Sequence, residues 1–586
     1  MQIKEKDYKL VEKILLGDGH FNSKQREFIE LNESKTIVAG PGAGKTTALA
    51  AKIALLLKNL NRIKSKDGVC IITHTNVAVN EINNVLSKTG VGKISHPHFI
   101  GTIHEFFNRY CVIPFFKYKF KHNALIFDNE HKSDLEFYKT FLGRKNAWMN
   151  TPKYNGVKDS ISERIYKSAL FLNRENNALD VYNSTAWDKF EKYKEQMLEA
   201  KCSRKEQGFL THEDTFLFSS IFLLERRLKE VLRYRFKYVF LDEFQDTTSA
   251  GTMLLEDLFG TENNIYQKVG DPYQTISFNQ PMPYIDEQQV FRLNKTNRFG
   301  NEIAEPLNVI MPNAIVEIYP EKRSFAPVIL LYKNEEEIYA EYQKMIKEYE
   351  VIDQSFKEST KEDKVLVYAK KWSARVKKGV PYKEKKQKKI KSENGILKSL
   401  ILDFIVKKIV DDRVNLSEAK LWISNHHKLT HLHTILIDLL KNGFDDTIRD
   451  ELKEFINELL QEKGVASINA RNNIFNQLEV ALLDPQAETE ENKDDIFTIH
   501  SVKGETLRSV LVVDFDEKPL TNILLHRYGV KLNDNYLFTD LNLLYVAMSR
   551  VTHLFVFAMH IDDWTDKVQE KLKNSWEIRE STLSEK

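Results

Sequence analysis

Two short stretches carry the residue types that phosphate chemistry needs. The first is AGPGAGKTT, residues 39–47. Gly40, Gly42 and Gly44 let backbone N–H groups turn toward one point and hold phosphate oxygens, and a helix starting behind them adds the positive end of its dipole. Lys45 supplies a point charge for the β- and γ-phosphates, and Thr46 a hydroxyl for Mg²⁺. Pro41, Ala43 and Thr47 complete the loop, and Ala39 stands where the usual pattern has its first glycine. The second stretch is VFLDEFQDTT, residues 239–248, in which Asp242 and Glu243 directly follow an apolar run. Alone, such a string reads as a strand ending in a solvated turn. Joined to a phosphate loop, Asp242 is expected to hold the Mg²⁺ shell and Glu243 to take a proton from an attacking water. The implied chemistry is ATP hydrolysis.

These residues need a scaffold, and the sequence supplies one. SKTIVAG (34–40) reads as a short buried strand, and KTTALAAKIALLLKNL (45–60) as the helix after the loop. A second strand, GVCIITHTN (68–76), is followed by the helical VAVNEINNVL (77–86). Such alternation predicts a parallel α/β sheet. From Cys111 to Gly208 the chain turns charged, aromatic and mostly helical. Strands resume at KYVFLDEF (237–244), NIYQKVGD (264–271), APVILLYK (326–333) and KVLVYAKKW (364–372). A second helical block runs to about Leu483, and an acidic linker, ETEENKDD (488–495), precedes a last α/β stretch that includes LNLLYVAMSR and HLFVFAM. The plan is two α/β cores, each interrupted by a mainly helical insertion.

Composition narrows the class. At 586 residues the chain exceeds one compact core, so roughly three to four domain-sized units are expected. With 42% hydrophobic and 29% charged residues it is a globular protein rather than a disordered one. A net charge of +2 gives no global attraction to a polyanion, so any such partner must be met by local basic patches. The three cysteines, Cys70, Cys111 and Cys202, lack the spacing of a zinc site or a disulfide framework. No apolar run reaches the ~20 residues that span a bilayer, and the charged N-terminus does not read as a signal peptide. A cytoplasmic protein with no membrane association is expected.

Taken together, the motifs resemble those of the superfamily 1A DNA helicases of the UvrD/Rep/PcrA type. FNSKQ (21–25) is similar to their Q motif, with Gln25 at the adenine-reading position. AGPGAGKTT resembles motif I, and LDEFQD (241–246) motif II, where the QD after the acids is distinctive. THTN (73–76) and GTIHEF (101–106) match segments that contact single-stranded DNA, which implies that role for Thr73, His74, Asn76, Thr102 and His104. VGDPYQTI (269–276) is similar to motif III and places Gln274 at the γ-phosphate. LNKTNRF (293–299) looks like motif IV with Arg298, TIHSVKGE (498–505) like motif V, and LLYVAMSR (543–550) like motif VI with Arg550. The resemblance implies two RecA-like P-loop NTPase domains: 1A from 1–110 and 208–290, and 2A from 291–376 and 490–586. The helical insertions 1B and 2B would then cover 111–207 and 377–489. It further implies a nucleotide held between the cores, with Arg298 and Arg550 stabilising phosphoryl charge, and 3′→5′ translocation coupled to strand separation.

The chain departs from the family in several places. Asn297 replaces the aromatic before the motif IV arginine, which leaves adenine stacking open, with Phe299 as a substitute ring. Motif III continues Ser277-Phe278-Asn279, so Phe278 is the surviving stacking ring for DNA. KGET replaces KGLE, which moves the ribose-contacting acid to Glu505, and His500 is the motif V DNA contact. The lysines of 377–391 read as a solvated loop, with duplex phosphates as the alternative. His427 and His431, spaced i,i+4, read as a surface helix rather than a metal site. The expected partners are single-stranded DNA and single-strand/duplex junctions. An alternative reading is an ATPase subunit that senses nucleotide or DNA and controls a partner nuclease in phage defence, motivated by the short second insertion and the altered DNA-contacting positions.

Overall fold

The computed structural model describes residues 3–581, apart from 75, 93, 122–124, 130, 132, 183–186, 278–281, 378–392, 411–413, 415–418, 420–421, 424–425, 470–471, 477, 479–495 and 532–535. By contact density the chain divides into two compact units. One comprises Met1–Ile103, Lys229–Lys385 and Asn492–Lys586, and the other His104–Leu228 and Lys386–Glu491.

The first unit holds two six-stranded parallel sheets. One is built from β1 (Lys35–Ala39), β2 (Gly68–Thr73), β3 (Phe99–Thr102), β4 (Phe236–Asp242), β5 (Ile265–Gly270) and β6 (Val290–Leu293), in the order β6-β1-β5-β4-β2-β3. A two-residue ribbon follows, β7 (Lys295–Thr296) against β8 (Glu317–Ile318). The second sheet contains β9 (Val328–Tyr332), β10 (Asp363–Val367), β11 (Ile496–Thr498), β12 (Leu507–Val513), β13 (Val551–His560) and β14 (Glu577–Glu580), ordered β11-β10-β12-β13-β9-β14. Parallel strands are covered on both faces, which is why these segments read as continuous apolar runs. Strand periodicity divides them: Val328, Leu330 and Leu511 pack with Tyr342 and Phe356 on one face. Ile329, Leu331 and Val510 pack with Leu544 and Tyr545 of the helix Phe538–Ser549 on the other. Tyr273 and Ile276, which follow the first sheet's β5, belong to this second cluster and so fasten the two cores together.

The second unit is mainly helical. The helices Asp134–Lys145, Asn155–Lys167 and Phe190–Glu206 close over Tyr138, Leu142, Ile161 and Met197. A separate core around Ile401, Leu436, Leu452 and Phe455 joins the helices Glu393–Ile409, Leu429–Asn442 and Asp446–Glu462. In the segment GFLTHED (208–214) the Asp214 carboxylate accepts from the Thr211 N–H and pairs with buried Lys205 at 2.6 Å. Of the lysine run, residues 378–391 lie outside the described residues. The ring of His427 stacks on His426, and His431 packs against Phe455. Among the described residues no group of His, Cys, Asp and Glu is arranged to hold a metal, and no helix is long and apolar enough to cross a membrane.

Three helices precede or follow the phosphate loop: α1 (Glu5–Leu16), α2 (Ser23–Glu30) and α3 (Lys45–Arg62). Lys52 on α3 pins the end of α2, donating to the carbonyls of Phe28 at 2.8 Å, Ile29 at 3.3 Å and Leu31 at 2.5 Å. The last carbonyls of a helix run short of intrahelical partners, that of Phe28 having only the Leu31 N–H at 3.2 Å, so a buried donor there fixes where α2 stops. Burial depresses the Lys52 ammonium from 10.5 to about 7. The unfolded chain keeps this proton up to 10.5, so between the two values the unfolded state binds more protons and stability rises with pH. Lys52→Met is expected to cost about 2 kcal/mol, a drop of roughly 3 °C in thermal midpoint. It is also expected to flatten the rise in midpoint between pH 7 and 10, measured by scanning fluorimetry against wild type.

Candidate functional site

The phosphate loop runs from the end of β1 into α3. Gly42 and Gly44 have φ of +72° and +74°, the left-handed region that is costly for residues with a Cβ. A Cβ on Gly42 would also overlap Thr296 Oγ1 and the Arg298 Cβ. The loop is gripped from that side: the Gly42 carbonyl accepts from the Asn297 N–H at 2.9 Å, and the Gly40 N–H donates to the Leu293 carbonyl at 2.8 Å. From the other side Gln25 donates to the Ala43 carbonyl at 2.9 Å while forming a capping box with Asn22 at the start of α2. Ala39, Pro41 and Ala43 are buried, and Thr46 and Thr47 are half-buried in the first turn of α3.

Lys45 Nζ forms an ion pair with Glu243 and lies 3.5 Å from Asp242 Oδ1. Burial would discharge all three groups, and the balance differs for each. It wins at Asp242, whose carboxyl is pushed up to about 6 against the Lys45 charge. At Glu243 burial is outweighed by the charge and hydrogen bond of Lys45 and by the hydrogen bond of Gln245, which hold it near about 2. Lys45 is likewise raised above the usual lysine value, because the two carboxylates outweigh its burial. Asp242 Oδ1 is buried and has no hydrogen-bond partner, an orphaned oxygen 3.5 Å from the Nζ of Lys45. An oxygen-only donor set of this kind fits Mg²⁺, which favours carboxylate, hydroxyl and phosphate oxygens.

Glu243 is a non-glycine residue at φ +51°, strain of the sort that accumulates at functional sites. Its neighbours maintain it. Gln245, 1% exposed, donates to Glu243 Oε2 at 2.5 Å and accepts from the Asp271 N–H at 3.2 Å. A Cβ at Gly270 would overlap that same Gln245 oxygen, so the fit leaves no slack.

From here the site crosses between the sheets. Gln274 donates to Asp271 Oδ2 at 2.8 Å and accepts from Arg550 Nη2 at 2.7 Å. Burial pushes the Asp271 carboxyl up to about 6 despite hydrogen bonds from Gln274, the Tyr273 N–H and the Tyr545 hydroxyl. Arg298 donates to the Ser549 carbonyl at 2.7 Å, which puts it beside Arg550. Burial, then the Arg550 charge, lowers Arg298 to about 9, and burial lowers Arg550 as well. Lys503 holds both sides of the first core's rim, 2.6 Å from Asp246 Oδ1 and 2.7 Å from the Gln274 carbonyl. Glu505 pairs with Lys364, while its carbonyl lies 3.5 Å from Arg550 Nη1.

The structure therefore gathers Lys45, Asp242, Glu243, Gln274, Arg298 and Arg550 around one junction. It does not gather the expected DNA contacts in the same way. Thr73 and Thr102 are register partners at the ends of β2 and β3, and His74 is exposed just beyond. The ring of His104 sits 4.9 Å from Phe216, and His500 Nε2 lies 3.2 Å from the Ile276 carbonyl. Phe278 and the side chain of Asn76 lie outside the described residues. Phe299 is corrected as a stacking ring: it is fully buried in the second sheet's core and has no face to offer. Sequence reasoning missed Asp271, Lys503 and Tyr545, although each stands inside a quoted motif. Their partners lie on other motifs, and no spacing rule links them.

Residues 21–280 match the family model for the UvrD/REP helicase N-terminal domain. That stretch is a UvrD/Rep-type helicase N-terminal domain. The chain is similar to the ATP-dependent DNA helicase srs2 of Schizosaccharomyces pombe, 28% identical over 315 residues, which covers 48% of this chain and 34% of that protein. It is also similar to the ATP-dependent DNA helicase PcrA of Staphylococcus aureus, 27% identical over 269 residues, 44% of this chain and 34% of PcrA. A probable DNA helicase II homolog of Mycoplasma capricolum is 26% identical over 255 residues, 42% of this chain and 33% of that protein. The alignments thus span about a third of each relative's length. The helicase domain contributes the phosphate loop, both acids and Gln274, while Arg298, Lys503 and Arg550 lie beyond residue 280.

The Asp246–Lys503 pair is half-screened from solvent and joins the helicase domain to the second sheet. A double-mutant cycle with Asp246→Asn and Lys503→Met is expected to give a coupling of about 1 kcal/mol in urea unfolding. Additive losses would show that the pair carries no coupling.

Proposed function

We propose that the chain is an ATP-dependent DNA helicase and translocase that moves 3′→5′ on single-stranded DNA. The observation that carries this reading is the junction at which Gln274, on the helicase N-terminal domain, holds Arg550 of the second sheet. Hydrolysis needs charge stabilisation from both sides of the transferring phosphoryl group, and this junction supplies it from two separate α/β cores.

The anionic β- and γ-oxygens of ATP compete with Glu243 and Asp242 for Lys45. Freed of that ion pair, Glu243 accepts a proton from water as the water oxygen bonds to the γ-phosphorus. The bond from that phosphorus to the β–γ bridging oxygen breaks, which leaves ADP and phosphate. Arg298 and Arg550 bear on the charge that develops, and Gln274 reports it to Asp271 and, through its carbonyl, to Lys503. Asp242 and Thr46 would hold Mg²⁺, which when bound neutralises phosphate charge. Gln25 faces the adenine, and Glu505 is assigned to the ribose. Loss of the γ-phosphate loosens the arginines, and the cores shift along DNA held by Thr73, His74, Asn76, Thr102, His104, Phe278 and His500.

In this reading domain 1A comprises 1–110 and 208–290, 2A comprises 291–376 and 490–586, and 1B and 2B are the insertions. The substrates are single-stranded DNA and single-strand/duplex junctions in the cytoplasm. The relatives are named as DNA helicases, which lends the nuclease-controlling alternative no support.

ATP turnover is expected to rise with single-stranded DNA and to fall at least ~100-fold in Lys45→Ala, an effect typical of losing one transition-state charge contact. Strand displacement is expected on 3′-tailed duplexes and not on 5′-tailed ones. Displacement only from 5′ tails would reverse the polarity, and turnover indifferent to DNA would remove the helicase reading while leaving the ATPase.

A further inference from the structure

Asn297 leaves the nucleotide site without a ring in the position before Arg298, and Phe299 is sealed in the core. A purine presents two broad π-faces, and proteins hold such a base most effectively on an aromatic side chain. We propose that Tyr319 is that ring, supplied from the neighbouring strand. The inference rests on the ATP-site reading above.

Two independent routes place Tyr319 beside the phosphate loop. In the ribbon, β7 runs parallel to β8 with Thr296 opposite Ile318, so the residues that follow, Asn297 and Tyr319, stand level with each other. The Asn297 N–H is itself bonded to the loop at the Gly42 carbonyl, 2.9 Å away. By the second route, the Tyr319 hydroxyl accepts from Asn22 Nδ2, and Asn22 caps the helix that carries Gln25. Gln25 reaches the loop at Ala43. The ring is half-buried, and Lys295 Nζ lies over one of its faces, 4.1 Å from the centroid.

The amide beside it completes a purine site. Gln25 Oε1 accepts from the Asn22 N–H at 3.0 Å, and Nε2 donates to Ala43 at 2.9 Å. An amide has two lone pairs and two N–H groups, so one acceptor and one donor are left over. Adenine shows the complementary pair, the N6 amino donor and the N7 acceptor, whereas guanine has O6 in place of the amine. Other rings near the loop are committed elsewhere: Phe291 faces Phe28 and Lys24, and the Tyr273 hydroxyl donates to the Asn313 carbonyl.

The test measures ATP hydrolysis and inhibition by inorganic tripolyphosphate in the full chain and in Tyr319→Ala, Tyr319→Phe and Lys45→Ala. Tyr319→Ala is expected to raise KM for ATP about tenfold or more at unchanged kcat, the size of a lost base–ring stack. Its inhibition by tripolyphosphate, which has no base, is expected to match wild type, and Tyr319→Phe to restore KM. If KM in Tyr319→Ala equals that of wild type, or if tripolyphosphate weakens in step with ATP, the assignment of Tyr319 is overturned while the ATP site stands. If wild type does not hydrolyse ATP, or Lys45→Ala hydrolyses it equally well, the ATP-site reading fails and takes the proposal with it.

Discussion

The buried cluster of Lys45 with Asp242 and Glu243 is the constraint on which the rest of the molecule is arranged. Three charged groups meet at the ends of two parallel strands, Asp242 buried and Lys45 and Glu243 partly so, and each is tolerable because the others are there. That requirement fixes β1 beside β5 and β5 beside β4, since the loop after β1 must bring Lys45 to the acids that end β4. It also explains the packing around the loop. Lys52 stops α2, Gln25 and Asn297 grip the loop from two sides, and Gly42 and Gly44 allow the backbone to pass. A cluster with this desolvation cost has to be positioned by rigid neighbours, because a loosened ion pair in such surroundings leaves an unpaired charge.

Gln245 shows how the cluster reaches beyond itself. Its amide touches the Glu243 side chain with one end and the Asp271 backbone with the other, so the acid of motif II and the loop of motif III are set by one side chain. From Asp271 the chain of contacts continues through Gln274 to Arg550. Asp246 makes a parallel connection through Lys503. The two residues after the acids thus serve different links, one inside the first core and one across to the second. A polar network of this kind is sensitive to single deletions, because Gln245, Asp271 and Arg550 are buried and each member satisfies another.

How much of this was legible in the sequence depended on the range of the interaction. The phosphate loop, the apolar strand ending in Asp242-Glu243 and the parallel sheets were readable, because backbone geometry and strand burial leave local patterns. The roles expected of Lys45, Gln274, Arg298 and Arg550 were suggested by their motifs, yet the contact between Gln274 and Arg550 spans 276 positions and has no local signature. Asp271 and Lys503 were hidden for the same reason. Phe299 misled because an aromatic next to an arginine looks available in one dimension, whereas the fold turns it into the core. Tyr319 could not be found from spacing at all, since only the parallel pairing of two dipeptide strands brings it level with Asn297.

The arginine pair has a consequence for solution behaviour. Arg298 and Arg550 are buried side by side, and among the described residues neither forms an ion pair with a carboxylate. Folding therefore confines two like charges, offset at Arg550 by the nearby charges of Asp271, Glu243 and Glu505 rather than by a direct ion pair. A sulfate or phosphate ion bound between them would favour the folded state by mass action. The apparent stability of this protein is accordingly expected to depend on the buffer's anions as well as on its own sequence.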